Sequence, residues 1–243
     1  MTSDNAPPAG QQQAPPSTLH GSSNGTPRTR ICVYCGSSGG NNPAHMEAAR
    51  QLARVMAAND IDLVYGGGTV GLMGEVAKTL CALKGPDAVH GIIPEALVKY
   101  ERDGTYQTVN DDNQVVPAQH TYGRTTVVKD MHTRKKKMAE DVFAGGPGSG
   151  FIGLSGGYGT IEEIFETTTW NQLGIHSKGI CLLNIDGYWD GIVQWLDKAV
   201  EEGFIKAANK DILVTATTPE DAIKSLLNYK VSEAIYNLKW ENR

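Results

Sequence analysis

Phe151-Ile152-Gly153-Leu154-Ser155-Gly156-Gly157-Tyr158-Gly159-Thr160-Ile161-Glu162-Glu163 carries a strand, a loop and the start of a helix in succession. Phe151–Leu154 is apolar and short, as a buried strand is. Residues 160–173 then follow helical spacing. Between them the glycines let a ligand approach the backbone. A helix start presents unpaired N–H groups and a partial positive charge, which suits a phosphate. Thr160 adds a hydroxyl donor. Glu162 and Glu163 stand just beyond the loop. Acids in a first turn complement the helix dipole. A hydrolase acting on a phosphorylated sugar would set one against the reacting carbon or a water.

The same unit recurs in both directions along the chain. Ile31–Cys35, Asp62–Tyr65, Val89–Ile93, Thr125–Val128, Gly179–Asn184 and 212–215 read as further strands. Residues 43–58, 71–83, 130–143, 188–202 and 219–228 read as helices. This alternation predicts an α/β, Rossmann-like, doubly wound and mostly parallel sheet with helices on both faces. Ligands of such sheets bind outside the carboxyl ends of the strands. Residues 1–28 hold few large apolar side chains and are expected to be a disordered tail. Residues 29–230 are expected to form one domain, and 231–243 a C-terminal extension.

Two more glycine loops end strands. Gly36-Ser37-Ser38 offers backbone donors and two hydroxyls, in a pattern that also makes plain turns. Gly66-Gly67-Gly68-Thr69-Val70-Gly71 fits G-x-G-x-x-G between a strand and a helix. A dinucleotide site also wants an acid about twenty residues on, and Glu95 lies too far along, beside a proline. Asp130-Met131-His132-Thr133-Arg134-Lys135-Lys136-Lys137 opens a helix. Cations at a helix start oppose the dipole. Arg134 and Lys135 therefore read as groups for an anionic ligand, with Arg able to grip two oxygens at once. His132 has no second ligand at metal spacing, so no metal is expected.

The formal charge of -5 gives no basic field for nucleic acid. No apolar run nears the roughly 18 residues of a membrane span. A cytoplasmic protein is expected, with neither nucleic acid nor membrane as partner. Cys32 and Cys35 spell C-x-x-C, but their flanks read as a buried strand, and they are taken as small strand residues in a reduced compartment.

Cys32–Ser38, Tyr65–Gly74, Met131–Lys135, Gly156–Glu163, Trp170–His176 and Asn184–Phe204 together resemble the LOG (Lonely Guy) family of cytokinin-activating phosphoribohydrolases. The resemblance runs over roughly residues 30–228. It implies hydrolysis of a cytokinin riboside 5′-monophosphate to the free base and ribose 5-phosphate, without a cofactor. It implies Arg134 and Glu163 as catalytic residues. It implies substrate contacts from Gly36, Ser37, Gly67, Gly68, Glu101, Met131, Arg134, Lys135, Gly156, Gly157, Tyr158, Gly159, Thr160 and Glu162. A homodimer is implied too. Arg134 could hold the phosphate or steady the departing base. Ser155 stands where the family usually has proline, which changes the stiffness of the turn without removing a catalytic group. Gly145–Gly150 reads as an insertion, a flexible surface excursion that alters access to the site.

Overall fold

The computed structural model describes residues 1, 26–98, 108–109, 114–236, 238 and 240. Glu101 and most of the expected N-terminal tail lie outside the described residues. The chain runs β1 (Arg30–Tyr34), α1 (Pro43–Ala58), β2 (Asp62–Tyr65), α2 (Gly71–Lys84) and β3 (Val89–Pro94). A short pair, β4 (Thr108–Val109) and β5 (Val115–Val116), precedes α3 (Gln119–Tyr122). Then come β6 (Arg124–Val128), α4 (Met131–Phe143), β7 (Gly150–Gly153) and α5 (Tyr158–Gln172). The last elements are β8 (Gly179–Leu183), α6 (Asp190–Glu201), β9 (Leu213–Ala216) and α7 (Pro219–Leu227).

Seven strands form one sheet in the order β6-β3-β2-β1-β7-β8-β9. Every neighbouring pair in it is parallel. The strand order reverses between β1 and β7, which opens a crevice at their carboxyl ends. All seven strands were legible from sequence. The β4–β5 pair and α3 were not, because two to four residues carry no readable period.

Alternate side chains divide the core. Ile31 and Val33 of β1 point into one layer with Leu52 and Met56 of α1, Val76 and Leu80 of α2, and Ile223 of α7. Cys32 and Tyr34 point into the other, with Met138 and Val142 of α4, Ile164 of α5 and Leu196 of α6. That split is the period of two expected along a strand buried on both faces. Helix starts are fixed locally: Asn42 accepts from the Ala44 N–H, Asp130 from the Thr133 N–H, and Thr218 from the Asp221 N–H.

Gly145–Gly150 corrects an expectation. The segment joins the end of α4 to the start of β7, at the amino edge of the sheet and away from the crevice. It is packed: the Gly146 N–H donates to the Arg28 carbonyl at 3.0 Å, and the Arg30 N–H donates to Ser149 Oγ at 2.9 Å. A Cβ on Gly146 would sit 2.0 Å from the Pro27 carbonyl oxygen, so the glycine is there for close approach.

Candidate functional site

A cavity of about 280 Å³ opens at the carboxyl edge where the strand order reverses. The end of β1 and its loop, Val33 to Ser37, make one wall. The start of α5, Gly157 to Thr160, makes the opposite wall with Glu162 and Glu163. Gly66, Met73, Met131 and Arg134 complete it.

The α5 wall is open and uncapped. No side chain caps the start of α5, whose cap position is Gly157. A Cβ on Gly157 or Gly159 would meet nothing within 4 Å, so both glycines border open space. Gly156 differs: it does not line the cavity. A Cβ there would lie 2.1 Å from Thr160 Oγ1 and 2.9 Å from the Gly36 nitrogen. Gly156 thus lets the first and third glycine loops touch, and the Gly36 N–H donates to the Ser155 carbonyl at 3.0 Å. The exposed ring of Tyr158 stands at the mouth.

The second glycine loop acts mainly through packing. Gly67 and Gly68 are buried and do not line the cavity. Gly67 has φ +76°, and a Cβ on it would press against Ile93 at 2.9 Å. Gly71, at φ +61°, brings the start of α2 against the backbone of Ser37 and Ser38. The first N–H groups of α2 are already occupied, since Leu72 and Met73 donate to the Gly36 carbonyl at 3.1 and 3.3 Å.

Arg134 is 6% exposed and held from two sides. Its Nε donates to the Ile92 carbonyl at 3.2 Å, and Nη2 to the Gly66 carbonyl at 3.2 Å. Its Nη1 lies 3.6 Å from Oε1 of Glu163, which is 7% exposed. α4 and α5 thereby bring Arg134 and Glu163 together as a buried ion pair beside the open start of α5. Removing either partner would leave a buried charge without compensation.

Lys135 departs from the expectation. It does not line the cavity. Its Nζ donates to Glu162 and, at 3.0 Å, to Glu166. Burial would lower its pKa, but these two carboxylates outweigh burial and raise it. The ammonium is paired within the protein and ties α4 to α5. With His132 it borders a separate groove of about 480 Å³ that includes Phe143, Trp170 and Trp240.

Ser155 and Tyr34 are the residues whose place sequence left open. Ser155, 5% exposed, shares a 2.9 Å hydrogen bond with Nδ1 of His45 on α1. The Tyr188 hydroxyl donates to the Gly156 carbonyl at 2.6 Å, and its ring meets His45 edge-on at 5.3 Å. The loop is therefore tied from both sides at Ser155 and Gly156. Tyr34 lines the cavity. Burial pushes its pKa well up, helped by nearby Cys32 and Glu163, so it stays a neutral phenol. Its position at the carboxyl end of β1 was the signal for it. Burial likewise pushes the Cys32 thiol well up, the opposite of a redox-active thiolate.

Comparison with known proteins places this geometry. The family described as "possible lysine decarboxylase" matches residues 73–226. A bifunctional cytokinin biosynthesis protein of Fusarium pseudograminearum is 58% identical over 196 residues, which is 81% of this chain and 39% of that protein. The chain thus spans well under half of that fungal relative. The cytokinin riboside 5′-monophosphate phosphoribohydrolase LOG3 of Arabidopsis thaliana is 43% identical over 200 residues, 82% of each chain. A probable phosphoribohydrolase of the same kind, LOGL2 of Oryza sativa subsp. japonica, is 42% identical over 214 residues, covering 87% of this chain and 78% of the relative. Among solved structures, the molybdenum cofactor binding protein of Rippkaea orientalis matches with TM-score 0.53 at 19% identity, covering 81% of this chain and 94% of that one. That likeness concerns the fold alone.

Proposed function

The chain belongs to the family that includes the LOG phosphoribohydrolases, and on that premise we propose that it hydrolyses the base–ribose bond of cytokinin riboside 5′-monophosphates. The observation that carries this reading is the Arg134–Glu163 pair, set in a cavity walled by the uncapped start of α5. The N–H groups at Gly157–Thr160 suit the 5′-phosphate. With the phosphate there, Arg134 and Glu163 are left for the reacting bond. Cleavage builds positive charge on the ribose, as in other glycoside hydrolyses. The Glu163 carboxylate stabilises that charge and orients water toward C1′. The C1′–N bond breaks and its electron pair leaves with the base. Water supplies the hydroxyl to C1′ and a proton to the base, giving ribose 5-phosphate and free base. Arg134, fixed by two backbone carbonyls, holds Glu163 in place and faces the departing base.

The proposed substrate contacts in the cavity are Gly36, Ser37, Met131, Gly157, Tyr158, Gly159, Thr160 and Glu162. Gly67, Gly68, Lys135 and Gly156 support the site from behind. We assign residues 29–230 to one catalytic domain. The C-terminal segment straps onto it, the Tyr236 N–H donating to the Gln172 carbonyl and Trp240 Nε1 to the Leu173 carbonyl. A homodimer is part of the reading, with the apolar groove at Trp170 and Trp240 as its supporting feature. So is a cytoplasmic location; no helix among the described residues is long and apolar enough to cross a membrane.

A decarboxylase using pyridoxal phosphate would need a lysine for the Schiff base. No lysine lines the cavity among the described residues, and Lys135 is bound by Glu162 and Glu166. The residues present do not fit that cofactor. The deciding test is base release from a panel of nucleoside 5′-monophosphates and the matching nucleosides. Release from the monophosphates alone is expected. Tight binding of the monophosphates without release would make the protein a carrier instead.

A further inference from the structure

A second polar depression, of about 830 Å³, lies at the opposite, amino edge of the sheet. It lies where Lys137 and Asp141 of α4 meet the amino ends of β3 and β6. His90 of β3 and Thr126 of β6 project there, as does Arg124, two residues before Thr126 and so on the same face. His90 is fixed at both nitrogens: Nδ1 lies 2.5 Å from Asp141 Oδ2, and Nε2 lies 2.8 Å from Thr126 Oγ1. The Asp141 carboxyl, although burial opposes it, is kept below its ordinary pKa by the His90 hydrogen bond and by the charges of His90, Lys137 and Arg30. An ionised carboxylate only accepts, so it sets the orientation of the ring.

The charge balance around this fixed imidazole is uneven. Arg28, Arg30, Arg124 and Lys137 border the depression. Asp62 is paired with Lys84 as well as Arg28, and Asp141 is hydrogen-bonded to His90. Asp87 is the remaining acid of the lining. No ion pair engages Arg124 or Lys137 among the described residues. Gathering cations in one concavity of a chain whose formal charge is -5 costs mutual repulsion, which a bound anion relieves. Two cations beside open space and a fixed polar floor suit phosphate oxygens.

We propose that this amino-edge depression is a second ligand site, separate from the catalytic cavity, and that it takes a phosphate-bearing small molecule. Arg124 and Lys137 supply the charge. The Asp141–His90–Thr126 chain supplies a fixed polar floor. His90 stands four residues before the carboxyl end of β3, roughly 13 Å along the strand, so the two sites are occupied independently.

The test is a titration of the full chain, labelled at histidine, with inorganic phosphate at constant ionic strength, followed by NMR. A His90→Gln variant assigns the His90 ring signals. His45, hydrogen-bonded to Ser155, reports the catalytic cavity separately. The expected result is a saturating shift of the His90 signals. In Arg124→Gln/Lys137→Gln the apparent affinity falls at least tenfold, while thermal midpoint and base release stay at wild-type values. Lys137→Gln alone gives the same direction should the double variant fold poorly. Ribose 5-phosphate and a nucleoside monophosphate, run in parallel, separate a phosphate-only ligand from one read through its sugar or base. His90 signals that do not move overturn the proposal. So does an equal shift with chloride, or an unchanged titration in the variants.

Discussion

Glu163 and Arg134 carry opposite charges 3.6 Å apart, both buried beside the cavity, and each is held by a different helix. Glu163→Gln keeps the shape and removes the charge that would meet a ribosyl cation. Turnover is expected to fall by about 10²–10⁴-fold, the range of a lost acid–base group, with an unchanged circular dichroism spectrum. Base release near the wild-type rate would take Glu163 out of the mechanism. Ser155 acts through structure instead. Ser155→Ala leaves Nδ1 of buried His45 without its partner, a loss of about 1–2 kcal/mol in urea unfolding. The loop glycines and the acids beside them were legible one by one, because each expresses a local backbone need. The partner of Ser155 was not, since His45 stands on a helix 110 residues earlier.

Elements meet where their local patterns match, and the turn after α5 shows what the meeting costs. His176 is packed against Phe143 and Phe151, with ring centroids at 5.1 and 5.5 Å. Its Nε2 donates to the Thr167 carbonyl, and its Nδ1 accepts from the Lys178 N–H, so the ring is neutral. Burial first, with the Lys178 charge, lowers its pKa to about 4. The unfolded histidine takes up a proton near pH 6.5, whereas the folded one resists until about pH 4. Stability from this group is therefore present above pH 6.5 and lost as pH falls toward 4, by about 3 kcal/mol in all. Urea unfolding at pH 7 and pH 4.5 checks it: wild type should lose about 2–3 kcal/mol more than His176→Gln between those pH values. Equal losses would mean that His176 titrates normally in the fold. Lys135 teaches the same lesson about elements. The basic run on α4 reads as a ligand grip until α5 is laid beside it with Glu162 and Glu166.

For the whole molecule, strand order sets what each edge of the sheet presents. The reversal between β1 and β7 opens the crevice at the carboxyl edge, and the amino ends of β3 and β6 border the second depression at the amino edge. The apolar groove along α4 and α5 adds an assembly expectation. Sedimentation should give twice the 26.1 kDa chain mass, and Trp170→Glu should shift the population toward monomer. A wild-type monomer at all concentrations would remove the dimer. The sequence alone determined the alternation of strands and helices, the parallel sheet, and which helix start could meet a phosphate. Those properties follow from periodicity and backbone sterics within a few residues. Only the tertiary structure decided that Arg134 meets Glu163, that Lys135 is neutralised, that Ser155 is tied to His45, and that Gly145–Gly150 lies far from the site. These pairings join residues distant in the chain, and their geometry follows from the order in which the strands pack.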